Sequence, residues 1–192
     1  MSQEDWQKTT KFVNMLTSSM DVSVNTVHVA LVRFSLLAEV DVYLDEGTDA
    51  GAIKSGVDKL RPSLLESDVG AALALIRQEV FRISSGDRDK VPNVVLIVLS
   101  NPPGNRSREI MMEMEMMIRQ DTRVIVVGLS RRLSYDILST IAYGGYRDND
   151  EEDDDEDVYL AGDDLGQLVD DVVRGINRKR TTICLTERGK FR

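Results

Sequence analysis

The sequence predicts an α/β fold, with a doubly wound, mostly parallel sheet carrying one antiparallel edge strand. Two runs, VVLIVL at 94–99 and VIVVGL at 124–129, hold no charged or hydrogen-bonding side chain. Strands buried on both faces, as in parallel sheets, require such runs. From Val94 onward strand-like and helix-like segments alternate, the pattern of parallel strands joined by right-handed helical crossovers. Nearer the start, the β-branched TVHVALVRF is followed by AEVDVYL, in which Val40 and Val42 alternate with Glu39 and Asp41, as in a half-solvated edge hairpin.

Each element has a local cause. Ser2 ahead of Glu4 and Asp5 has the composition of a helix N-terminus, where carboxylates meet the positive end of the dipole. Trp6, Val13, Leu16 and Met20, with Phe12 and Met15 beside them, place an amphipathic helix over 3–19. Strands are expected at 26–34 and 38–44, and Asp45-Glu46-Gly47 turns the chain out of the second. A short helix fits 49–59, and Pro62 ends or redirects it. Ser67 and Asp68 cap a longer one in which Val69, Ala72, Leu73, Ile76, Val80 and Phe81 share a side, closed by Ser84-Ser85-Gly86-Asp87. The buried run at 94–99 lies between Pro92 and the turn Pro102-Pro103-Gly104. Helices are expected over 107–119 and 134–143, a short strand at 158–160, and a last helix on which Leu165, Leu168, Val169, Val172, Val173 and Ile176 align.

The chain's 192 residues suffice for a core of one domain without covalent staples. With one cysteine, Cys184, and one histidine, His28, neither a disulfide framework nor a Cys/His zinc site forms within the chain. Cys184 reads as inert, and His28, inside a strand with no nucleophile beside it, as a core or edge residue. No apolar run reaches the roughly 18–20 residues of a membrane span. The net charge of −9 speaks against nucleic acid. Nine of the ten residues at 148–157 are carboxylates; setting them aside leaves 24 acidic residues against 24 basic. The acidity therefore belongs to one segment, read as a solvated insertion, and the rest is balanced. No GxGxxG or GxxxxGK[ST] occurs, so no nucleotide cradle is expected. The methionines at 111, 112, 114, 116 and 117 suit an adaptable groove, but one side packed on the sheet explains them more simply. Asn105-Arg106-Ser107 is a glycosylation sequon, meaningful only in a secreted chain.

The order of segments resembles the von Willebrand factor type A domain. VHVALVRFS with AEVDVYL is similar to that family's second strand and its antiparallel partner; Ser67-Asp68-Val69-Gly70-Ala71-Ala72-Leu73 to its T-x-T-G-x-A-L segment; VVLIVLSNPPG to its buried strand ending in T-D-G; RVIVVGLS and DDLGQLVDDVVRGI to its next strand and last helix. The resemblance runs over residues 3–176. It implies a Rossmann-like architecture in one domain, 1–176, with an acidic insertion at 148–157 and a basic, polar tail at 177–192. It also implies an Mg²⁺ site at the top of the sheet, whose hard oxygen donors leave one coordination position open for a partner's carboxylate. In this chain Ser67 stands at the family's threonine position and Asn101 at its aspartate position, while the D-x-S-x-S motif is missing. A degenerate site follows, holding no metal or only weakly bound Mg²⁺ or Ca²⁺, with Ser100 and Asp68 at the partner-binding rim.

In that family the first strand is central and precedes the first helix. The chain is therefore expected to be a fragment whose Met1 is internal, or to fill the central position with residues 181–186. The functional expectation is a non-catalytic protein-binding and adhesion module of extracellular-matrix type with a matrix or receptor protein as partner. The polar start holds no signal peptide, which taken literally means cytoplasm, whereas the resemblance implies secretion. The alternative of another class is an intracellular doubly wound α/β enzyme or regulatory domain with an unrecognised site.

Overall fold

The computed structural model describes residues 2–63, 65–104, 107–144, 157–162 and 164–177. Helix α1, Gln3–Ser18, opens on a reciprocal cap in which the Ser2 hydroxyl accepts from the Asp5 N–H while the Asp5 carboxylate receives the Ser2 N–H. Strands β1, Leu31–Phe34, and β2, Ala38–Val42, pair antiparallel. Helix α2, Ala50–Lys59, is capped by Asp49, and α3, Val69–Leu75, by Asp68, whose carboxylate accepts from the Ala71 N–H. Then follow β3, Val94–Leu99; α4, Ser107–Arg119; β4, Arg123–Gly128; α5, Tyr135–Ala142; β5, Val158–Leu160; and α6, Leu165–Asn177. β3, β4 and β5 form a parallel sheet in that order, with Val94 opposite Arg123 and Val126 opposite Val158.

Side-chain alternation along β4 divides the core in two. Val124 and Val126 face one layer with Val69 and Leu73 of α3, Ile110, Met114 and Met117 of α4 and Leu138 of α5. Ile125 and Val127 face the other with Phe12 and Leu16 of α1 and Leu168, Val169 and Val172 of α6. Every residue of β4 is buried, as the apolar run that follows Arg123 demands. Of the methionine-rich helix, Met114 and Met117 are buried and Met112 is 60% exposed, so only one side packs on the sheet.

Three expectations are corrected. The strand expected at 26–34 narrows to β1, because β2 stops where the Gly47 N–H turns back to the Tyr43 carbonyl and leaves the earlier residues no ladder; Val29 keeps one bond to Gly47. The long helix expected from Val69 to Phe81 runs on but widens after Leu75 into one π turn, Ile76–Val80, in which the Phe81 N–H reaches the Ile76 carbonyl, and Asp68 rather than Ser67 caps it. The edge hairpin forms, but among the described residues β1 and β2 are a sheet of their own rather than an edge of the parallel one. Helices hold the two sheets together. On one side α1 touches both α2 and α6, and on the other α3 touches β1, β2 and α4. The main part of the acidic run, the tail from 178, Cys184 and Asn105-Arg106 of the sequon lie outside the described residues.

Asp157, last of the acidic run, is structural. It pairs with Arg123, whose guanidinium also donates to the Gly175 carbonyl, and so ties the start of β4 to the start of β5 and the end of α6. The Arg123 side chain is only 9% exposed and Asp157 17%. Replacement Arg123→Met strands a half-buried carboxylate and is expected to cost about 3 kcal/mol of unfolding free energy, read as a lower urea midpoint at unchanged slope. Gly175 lies where an added Cβ would fall 2.1 Å from the Tyr159 hydroxyl oxygen. Gly175→Ala therefore requires the Tyr159 ring to give way, and a loss of about 1 kcal/mol in the same measurement is expected despite alanine's better helix propensity.

Candidate functional site

In open α/β sheets ligands bind beyond the carboxyl ends of the strands, where each strand hands over to its crossover. Four segments meet there in this chain. The loop after β3 begins with Ser100, whose hydroxyl lies 2.6 Å from that of Thr9 on α1. The same loop joins the turn before α3 through the Gly104 N–H, which donates to the Ser67 carbonyl at 3.1 Å. Its Asn101 carboxamide oxygen accepts from the Arg132 guanidinium at 3.3 Å, which brings in the loop after β4. That last loop is shaped locally, for the Arg132 N–H donates to the Ser130 hydroxyl and Ser134 caps α5.

Two of the four expected residues are thus partly accessible and two are covered. Ser67 and Asn101 are half-buried. Ser100 is 3% exposed and Asp68 6%. Asp68 also receives the Ala71 N–H at its carboxylate, and its own N–H donates to the Ser35 carbonyl, which fixes the β1–β2 turn against α3. Ser100 and Asp68 hold the loops in place from beneath, while Ser67, Asn101 and Arg132 lie nearer the surface.

The donors do not suit a hard divalent cation. Mg²⁺ needs an octahedron of oxygens, usually with carboxylate charge among them. Asn101 supplies a neutral oxygen already engaged by a positive guanidinium. Coulomb repulsion and loss of that hydrogen bond both oppose a cation at this oxygen. Among the described residues no group of three or more His, Cys, Asp or Glu side chains is placed to hold a metal. A guanidinium there is a hydrogen-bond donor of the geometry that suits a carboxylate. The His28 Nε2 lies 3.2 Å from the Val24 carbonyl oxygen.

Sequence reasoning missed Arg132 and Thr9. Arg131-Arg132 directly follows a buried strand, at the end where ligand loops gather, and that position was the available signal for the first. Thr9 had none, because a threonine in an amphipathic helix says nothing about a partner 91 residues away.

Comparison with known proteins bears on the same frame. Rat von Willebrand factor is 24% identical over 143 residues, covering 74% of this chain and 31% of its own length. Mouse matrilin-3 is 23% identical over 109 residues, covering 55% of this chain and 23% of its own. The chain therefore spans less than a third of either relative. Proximal thread matrix protein 1 from the mussel byssus, solved with a zinc-occupied MIDAS motif, superposes with a TM-score of 0.75 at 17% identity, over 91% of this chain and 43% of that one. The family model of the von Willebrand factor type A domain matches residues 1–160, and the chain belongs to that family.

Proposed function

We propose that this chain is a non-catalytic protein-binding module of the adhesion type, working outside the cell, which engages a matrix or receptor protein through the loops at the carboxyl ends of β3 and β4. The observation that carries this reading is the contact of Arg132 with Asn101. Beside the carboxyl ends of β3 and β4 this chain presents a positive side chain. Its site is a degenerate one in which a guanidinium, rather than a cation with an open coordination position, meets an acidic side chain of the partner. Ser67 and Asn101 offer a hydroxyl and an amide beside it, and Ser100 and Asp68 keep the loops in register from below. The matrix proteins among its relatives support the partner class. The absence of any nucleotide-cradle motif in the sequence speaks against a nucleotide enzyme.

Calorimetric titration of the native chain with Mg²⁺, Mn²⁺ and Ca²⁺ tests the metal half of this reading. Saturable binding tighter than about 1 mM is not expected, and micromolar binding overturns it. The partner half is tested on a panel of purified matrix proteins, including collagens and von Willebrand factor, in buffer with and without EDTA. Binding is expected to survive EDTA and to weaken about tenfold, roughly 1.4 kcal/mol, in Arg132→Glu. Binding that EDTA abolishes contradicts the reading.

A further inference from the structure

The turn between β1 and β2 has an unusual composition for one that faces water. Exposed turns are mostly built from glycine, proline, asparagine, aspartate and serine. This one reads Ser35-Leu36-Leu37, and both leucines are exposed, Leu37 to 75%. Elsewhere the hairpin meets solvent with charge, as where Arg33 pairs with Glu39 and Asp41. The leucines do not shape the turn, because its backbone is already fixed. The Ser35 N–H donates to the Leu37 carbonyl at 2.9 Å, and the Ser35 carbonyl accepts from the Asp68 N–H at 2.8 Å. Phe34, the residue before it, supplies the anchor in the core. A third leucine, Leu65, is 59% exposed and stands three residues ahead of Asp68, so no more than about 11 Å of chain separates it from that bond. Single exposed leucines are ordinary, whereas three on two bonded loops form the kind of apolar patch that marks an interaction site.

The leucines are continuous with the loops that carry Arg132. Asp68 holds Ser35, the Ser67 carbonyl beside it holds the Gly104 N–H, and Asn101 in that same loop accepts from the exposed Arg132. An apolar end and a positive end thus lie on one hydrogen-bonded set of loops, positioned before any partner arrives, which lowers the ordering cost of binding. We propose that Leu36, Leu37 and Leu65 are the apolar half of a docking surface whose charged half is Arg132, and that its occupant is an extended segment of a protein partner bearing one carboxylate and one large apolar side chain. The inference rests on the reading of Arg132 as the anchor for a partner's acidic group. Charge complementarity selects the carboxylate, and the leucines select its apolar neighbour. Ten extended residues reach roughly 33 Å, the scale of the path from Leu37 to Arg132 through these bonds.

Synthetic peptides of about ten residues test the proposal. Each is serine and glycine apart from one aspartate and one phenylalanine, placed at every spacing in turn, and each is titrated into the isotopically labelled full chain by NMR. At least one spacing is expected to shift the amides of Leu36, Leu37 and Leu65 together with those of Asn101 and Arg132. That peptide is expected to bind about tenfold more tightly than its counterpart with alanine in place of phenylalanine, because the ring covers leucine surface that otherwise meets water. In the double variant Leu36→Ser, Leu37→Ser the gain is expected to vanish at an unchanged urea midpoint, since both side chains are exposed. Shifts confined to Asn101 and Arg132, or a gain that persists in the double variant, overturn this inference and leave the reading of Arg132 standing. Shifts confined to the leucines overturn that reading and, with it, the joint surface. If no peptide shifts either end, both fall.

Discussion

Burial of β4 along its whole length is the constraint on which the rest of the molecule depends. A strand with no exposed residue must have apolar cover on both faces and hydrogen-bonded neighbours on both edges, because an unpaired backbone group in that environment costs as much as a lost hydrogen bond. β3 and β5 supply the edges. α3, α4 and α5 cover one face and α1 and α6 the other, and the even and odd residues of β4 sort themselves between the two layers. Arg123 closes this arrangement at the lower end: the one guanidinium in the strand is held by Asp157 and the end of α6, so the charge enters the core already paired.

The same constraint positions the site. Because β3 and β4 are parallel, their carboxyl ends lie side by side, and the loops that leave them must cross the same small area before descending as helices. The contacts there are few and specific: a hydroxyl pair between Thr9 and Ser100, a backbone bond from Gly104 to Ser67, and the guanidinium of Arg132 on Asn101. Buried Ser100 meets the Thr9 hydroxyl, and buried Asp68 meets the Ala71 N–H and the Ser35 carbonyl. The net charge of −9 has little bearing on this crest. Most of the excess lies in 148–156, and Asp157, which completes that run, is spent on Arg123.

The sequence made legible what punctuation and periodicity control. β3, α4 and β5 fall on the expected residues because Pro92, the Pro102-Pro103-Gly104 turn and the ends of the apolar runs bound them tightly. β1 is shorter than its composition suggests, since β-branched residues favour extended backbone but only a partner strand turns it into a ladder. The widening after Leu75 has no composition signal, as Ile76 and Val80 continue the apolar side without interruption. At the site, Ser67 and Asn101 came from resemblance to a family motif, whereas Arg132 and Thr9 reach their partners across 31 and 91 residues. Such contacts depend on which loops the topology brings together, and no local pattern encodes them.

The proposed function places a guanidinium, not a divalent cation, at the carboxyl-end loops of this type A domain. Anomalous diffraction from crystals grown in manganese tests it most directly, because the signal locates the metal itself. No manganese peak is expected within coordinating distance of the Asn101 carboxamide oxygen, with Arg132 still donating to it. A peak bonded to that oxygen, with Arg132 swung away, would contradict it.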